Sequence, residues 1–95
     1  MHILLDKFYT VTQDGDGNVI VTRPSLMGKV NTHTIKKSCY DAFDIARWLY
    51  NRTRKTSPLV QRAFPLMHAE DREFLISGIT PEQWKEITKN EEEQE

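Results

Sequence analysis

Phe74-Leu75-Ile76-Ser77-Gly78-Ile79-Thr80-Pro81-Glu82-Gln83-Trp84 reads as the end of one helix and the start of the next. Gly78 suits the left-handed conformation that stops a helix. Thr80 is a good N-cap, Pro81 fits a first helical turn, and Gln83 stands three residues after the cap, where it completes a capping box. Ile79 is then expected between Phe74 and Trp84, as the contact that closes one helix and staples the other. The stretch specifies a helix–turn–helix corner and carries no chemistry of its own.

Working back from that corner, residues 38–90 read as helical. Ser38 is expected to open the first helix, with Asp41 favouring its N-terminus. Ala42, Ile45, Ala46 and Leu49 recur at i, i+3, i+4 and i+7, the spacing of a core-facing stripe, with Phe43 and Trp48 widening it on either side. The helix fades near Thr53 to Thr56. Ser57-Pro58 restarts a short one that ends before Pro65, and Ala69–Ser77 and Thr80 to about Asn90 form the last two. Glu91-Glu-Glu-Gln-Glu95 reads as a solvated acidic tail.

Residues 1–37 read as β. Phe8-Tyr-Thr-Val-Thr12 and Asn18-Val-Ile-Val-Thr-Arg23 are β-branched and aromatic, and Asp14-Gly-Asp-Gly-Asn18 between them is turn chemistry. Pro24 ends the second strand and Ser25–Gly28 turns the chain. Lys29–Lys36 makes a third strand whose mixed faces suit an edge. The expected fold is α+β: one small domain over residues 1–95, with a three-stranded antiparallel meander followed by about four helices.

Composition bounds the function. Ninety-five residues at 38% hydrophobic give one modest core, and no apolar run exceeds three residues against the about 20 that span a bilayer. No membrane association is expected, and Asp6 directly after Met1-His-Ile-Leu-Leu leaves no secretory core. A single cysteine, Cys39, makes no intramolecular disulfide, fits a cytoplasmic setting and is expected as a small buried residue. The net charge of −1 is unevenly distributed: residues 36–62 hold seven bases against two acids, residues 63–95 three bases against nine acids. That division suits either neighbouring helices that neutralise each other or a basic face for an anionic partner.

No catalytic or metal-binding pattern stands out. Asp14-Gly-Asp16-Gly-Asn18 resembles half a calcium loop, but Val19 and Ser25 fall where that loop needs glycine and glutamate. His2, His33 and His68 lie far apart with no ligand-spaced partners. Nucleophile elbow, phosphate-cradling glycine loop and His-Glu-x-x-His are all missing, so neither enzyme activity nor a cofactor is expected.

The central helix carries the one suggestive arrangement. Phe43, Arg47, Tyr50 and Arg54 follow i, i+4, i+7 and i+11, with Tyr40 extending the row backwards. Alternating rings and guanidinium groups serve three ends: packing at a core margin, anchoring a protein interface, or stacking bases while neutralising phosphates. Structural use is the commonest and nucleic-acid binding the rarest, because the chain as a whole is not basic. The expected partner-binding residues are Tyr40, Arg47, Tyr50, Arg52, Arg54 and Lys55, with Lys36 and Lys37 nearby. A short sheet also leaves an edge that a second copy of the chain could pair with.

Ala63-Phe64-Pro65 through Asp71-Arg72-Glu73-Phe74-Leu75 and Gly78-Ile79-Thr80-Pro81 to Trp84 resembles the C-terminal half of small, mostly uncharacterised bacteriophage proteins. The resemblance covers about a quarter of the chain and falls on capping and core residues. It implies a non-virion protein at work inside an infected bacterium. Such a protein binds a host or phage macromolecule, inhibiting a host defence or regulatory complex or, alternatively, assisting replication as a single-stranded nucleic-acid binder.

Overall fold

The computed structural model describes residues 1–53 and 59–86. Four strands, β1 (His2–Asp6), β2 (Tyr9–Gln13), β3 (Val19–Pro24) and β4 (Val30–Ile35), form an antiparallel sheet in the order β1-β2-β3-β4. Helices α1 (Ala42–Thr53), α2 (Val60–Ala63) and α3 (Ala69–Ser77) follow, and residues 81–86 begin a fourth, α4. The α+β class holds and the strand count does not: the meander has four strands rather than three. β1 escapes a sequence reading because Ile3-Leu4-Leu5 lacks the alternation of a half-buried strand, and because the Lys7-Phe8 turn contains no glycine, asparagine or proline. Asp6 supplies what the turn lacks, its carboxylate accepting a 2.6 Å hydrogen bond from the Lys7 N–H.

Strand alternation gives the sheet two unlike faces. Val11, Val19, Val21 and Ile35 point to the helices and are buried, with Ile3 and Leu5 packed at the margin. The opposite face carries Thr10, Thr22 and Thr32 in one cross-strand row and Thr12, Ile20 and Thr34 in the next, and no helix among the described residues packs on it. Helix α1 packs on β1 and β2, and α3 on β4. The predicted stripe of α1 is the core: Ala42, Ile45, Ala46 and Leu49 are all buried, joined by Trp48. Phe43 departs from expectation and projects away from the sheet, 57% exposed. Ser38 does not cap α1 either. Its hydroxyl closes a local turn with Tyr40, while the Asp41 carboxylate accepts the Asp44 N–H at 2.9 Å and caps the helix.

The corner forms as the sequence predicts. Gly78 takes φ +73°, Thr80 Oγ1 accepts the Gln83 N–H at 3.2 Å, and Gln83 Oε1 accepts the Thr80 N–H at 3.2 Å. Ile79 is buried, whereas Trp84, expected against it, is 38% exposed. The corner also docks on the β3–β4 hairpin. Asn31 Nδ2 donates to the Gly78 carbonyl and to Gln83 Oε1, both at 2.8 Å, and the Leu26 N–H donates to the Ser77 carbonyl at 2.9 Å. A segment read only as local punctuation thus ties the last helices to the sheet.

Candidate functional site

Because Ala42, Ile45, Ala46, Trp48 and Leu49 face inward, helical geometry turns Phe43, Arg47 and Tyr50 outward. Tyr50 is 46% exposed and Arg47 is exposed. Of the eight residues expected to bind a partner, Arg47 and Tyr50 share the outer side of α1, whereas Arg52 lies about 140° around the helix from Arg47, on the side of Trp48. Arg52 is exposed yet folded back, its guanidinium carbon 5.5 Å from the centre of the Trp48 ring. Arg54 and Lys55 lie outside the described residues, as do Ser57-Pro58 and the acidic tail.

Tyr40 is not part of that helical row, since α1 begins at Ala42. Its hydroxyl accepts the Leu66 N–H at 3.0 Å and its ring meets Phe64 nearly edge-on, centroids 4.9 Å apart. So placed, Tyr40 separates two clefts. The larger, about 360 Å³, lies between α1 and the end of α2 and is lined by Tyr40, Asp44, Arg47, Trp48, Ala63 and Phe64, with Asn51 on its wall. Asp44, Arg47 and Asn51 stand at i, i+3 and i+7, so one stripe of α1 forms the polar wall. Trp48 and Phe64, edge-on with centroids 6.2 Å apart, form an apolar floor. Arg47 belongs both to this wall and to the outer row.

The smaller cleft, about 60 Å³, has Lys36, Lys37, Cys39, His68 and Asp71 among its lining residues. Cys39 is exposed there, not a small core residue as its type suggested. Lys36 and Lys37 therefore sit on the far side of Tyr40 from Arg47. Nearby, His33 Nε2 lies 2.6 Å from Asp71 Oδ1, and the His33 ring rests 5.0 Å from Phe74. That pair spans 38 residues and joins β4 to α3, a partnership no short-range spacing could announce. Among the described residues no three His, Cys, Asp or Glu side chains are placed to share a metal ion.

The part of the site that sequence reading missed is Asp44, Asn51, Ala63 and Phe64. The i, i+3, i+7 spacing of Asp44, Arg47 and Asn51 was visible. What Phe64 faces was not, because it follows from how the chain leaving α2 brings Phe64 against Trp48 of α1. Among the described residues two groups have clearly displaced proton affinities, and each is used in holding the fold. Hydrogen bonds from Asn18 and Asp16 lower the Asp14 pKa, and burial lowers that of Arg23.

No protein-family model, curated protein or solved structure matches this chain. No helix among the described residues is long and apolar enough to cross a membrane.

Proposed function

We propose that this chain is a non-catalytic binding protein whose partner surface is the outer side of α1 together with the adjoining cleft. The observation that carries the reading is the exposure of Phe43 and Tyr50 on either side of Arg47. Aromatic and guanidinium groups on a rigid helix supply contact area and carboxylate pairing at low entropic cost. Asp14 and Arg23, whose proton affinities are displaced, are both engaged by the fold's own backbone, which supports binding over chemistry. The resemblance of residues 63–84 to small bacteriophage proteins supports a partner inside an infected bacterium, within a host defence or regulatory complex.

Single-stranded nucleic acid is the second reading, favoured by the same alternation of rings and guanidinium groups. Salt separates the two. A phosphate binder loses affinity steeply and linearly on a logarithmic salt scale, while an interface with an apolar centre loses much less. The test is retention of tagged protein's partners from infected-cell lysate, with and without nuclease, across rising salt. A defined protein retained after nuclease treatment supports the proposal. Retention that disappears with nuclease overturns it in favour of the second reading.

A further inference from the structure

Besides its two rows of threonines and Ile20, the sheet face turned away from the helices presents His2 and Leu4 at the β1 margin and Pro24 and Val30 at one end of β3 and β4. Up to the bulge that follows Leu4, none of the strand residues on it is Asp, Glu, Lys or Arg, in a chain that is 28% charged. Its polar side chains meet one another: His2 Nδ1 lies 2.6 Å from Thr12 Oγ1, and the Thr22 and Thr32 hydroxyls share a hydrogen bond at 2.9 Å. Covering groups already paired across strands leaves no donor or acceptor stranded there, so desolvating them costs little. Leu4 and Val30, 67% and 44% exposed, add apolar surface that covering would remove from water. From this neutrality and internal pairing we infer that two copies of the chain pack this face against each other, as a two-sheet sandwich with the sheets about 10 Å apart. A two-fold contact sets a patch against itself, so a face of one charge sign would repel its mate, and this face does not. A charged partner, by contrast, finds no counter-charge here. Four strands about 4.8 Å apart and about 17 Å long present roughly 330 Å² in projection per copy, and side-chain relief raises this to on the order of 900 Å² for the pair. An area of that size suits a reversible dimer, with a Kd above about 1 µM, and not an obligate one. Helix α1 lies on the other face of each sheet, so the dimer leaves both α1 surfaces open and pointing apart.

The test is analytical ultracentrifugation of the full chain from about 1 µM to about 1 mM, the range that the small area implies. The wild type is expected to move from one chain toward two across that range. Thr22→Lys, at the centre of the face, sets like charges against each other and should weaken association at least about tenfold with an unchanged circular dichroism spectrum. Leu4→Glu, at the exposed margin, should weaken it less, and reads out even if Thr22→Lys folds poorly. In a mixture of ¹³C-labelled and unlabelled chain, intermolecular nuclear Overhauser effects should reach the Ile20 and threonine methyls of this face. A wild type that stays monomeric throughout overturns the inference. Association undiminished in both folded variants also overturns it, as pairing along a sheet edge or through α1 would give. So does a monomer whose face captures a different protein and loses it in Thr22→Lys. Partner capture through Phe43 and Tyr50 is a separate measurement, so the binding reading above stands or falls independently of the dimer.

Discussion

Arg23 of β3 reaches the end of α3 and donates from Nη1 to the carbonyl of Ile76 at 3.2 Å, as well as to that of Leu75. Its Nε donates to the Pro24 carbonyl at 2.9 Å, and the Tyr9 ring lies 5.7 Å away. A cation on the core face of a central strand is tolerated because a helix C-terminus presents unpaired carbonyls and partial negative charge. Arg23→Met should therefore cost about 2 to 4 kcal/mol, because it strands those acceptors in a dry site. Arg23→Lys, which lacks the rigid fork, should fall between. Urea unfolding measures both. The sign of the pKa change matters too: a base whose folded pKa is lowered opposes folding, and the cost is constant below that pKa. The Arg23 contribution should thus be flat across neutral pH and change only under strongly alkaline conditions.

Gly78 is a close-approach glycine as well as a helix stop. A Cβ there would stand 2.5 Å from the Pro24 carbonyl oxygen and 2.8 Å from the Ser25 Cα, both backbone atoms that cannot easily move. Gly78→Ala should destabilise the protein by about 3 kcal/mol, combining overlap with a positive φ. Gly28→Ala, with φ +90° and open space around it, should cost only about 1 kcal/mol. Equal losses at the two positions would show that the corner does not press on the hairpin.

The corner explains how much of this fold was legible in the sequence. Capping residues act within a few positions, so Gly78, Thr80 and Gln83 could be assigned correctly, and α3 falls on Ala69–Ser77 as expected. Periodicity likewise marked the buried side of α1. The failures have different causes. β1 lies one tight turn from β2 and was missed because its residues neither alternate nor announce that turn, whereas the docking of Asn31 on Gly78 and Gln83 crosses about half the sequence. Phe43 sits beside an apolar stripe on a helical wheel, but α1 buries Ala42, Ile45, Ala46 and Leu49 and leaves it outside. The cleft was the least legible, since its floor joins Trp48 of α1 to Phe64 after α2.

Asp14 should report acid loosening of the β2–β3 turn. Its Oδ1 accepts the Asp16 and Asn18 N–H groups at 2.9 and 3.0 Å, and its Oδ2 accepts from the Asn18 amide at 3.0 Å. These bonds hold its pKa below the ordinary aspartate value. Stability from a lowered carboxyl pKa is present above the unfolded value and is lost as pH falls through the folded one. The Asp16 and Asn18 amide resonances should therefore move together only in that acidic range. In Asp14→Ala the coupled movement should vanish.

Cys39 lies at the surface of the smaller cleft. Native protein should be labelled stoichiometrically by a thiol reagent without denaturant. Cys39→Ser should leave the urea midpoint nearly unchanged, as expected for a surface substitution away from caps and core. Labelling that requires unfolding would place Cys39 inside.

The most direct measurement of the binding surface is the double variant Phe43→Ala, Tyr50→Ala, assayed in parallel for stability and for partner retention. Both side chains project from α1 away from the sheet, so unfolding in urea should shift by no more than about 1 kcal/mol. Retention of the protein partner captured by the wild type should fall at least tenfold, as for the loss of two interface anchors. Wild-type retention by a fully folded double variant would contradict the assignment of this side of α1 as the surface that binds.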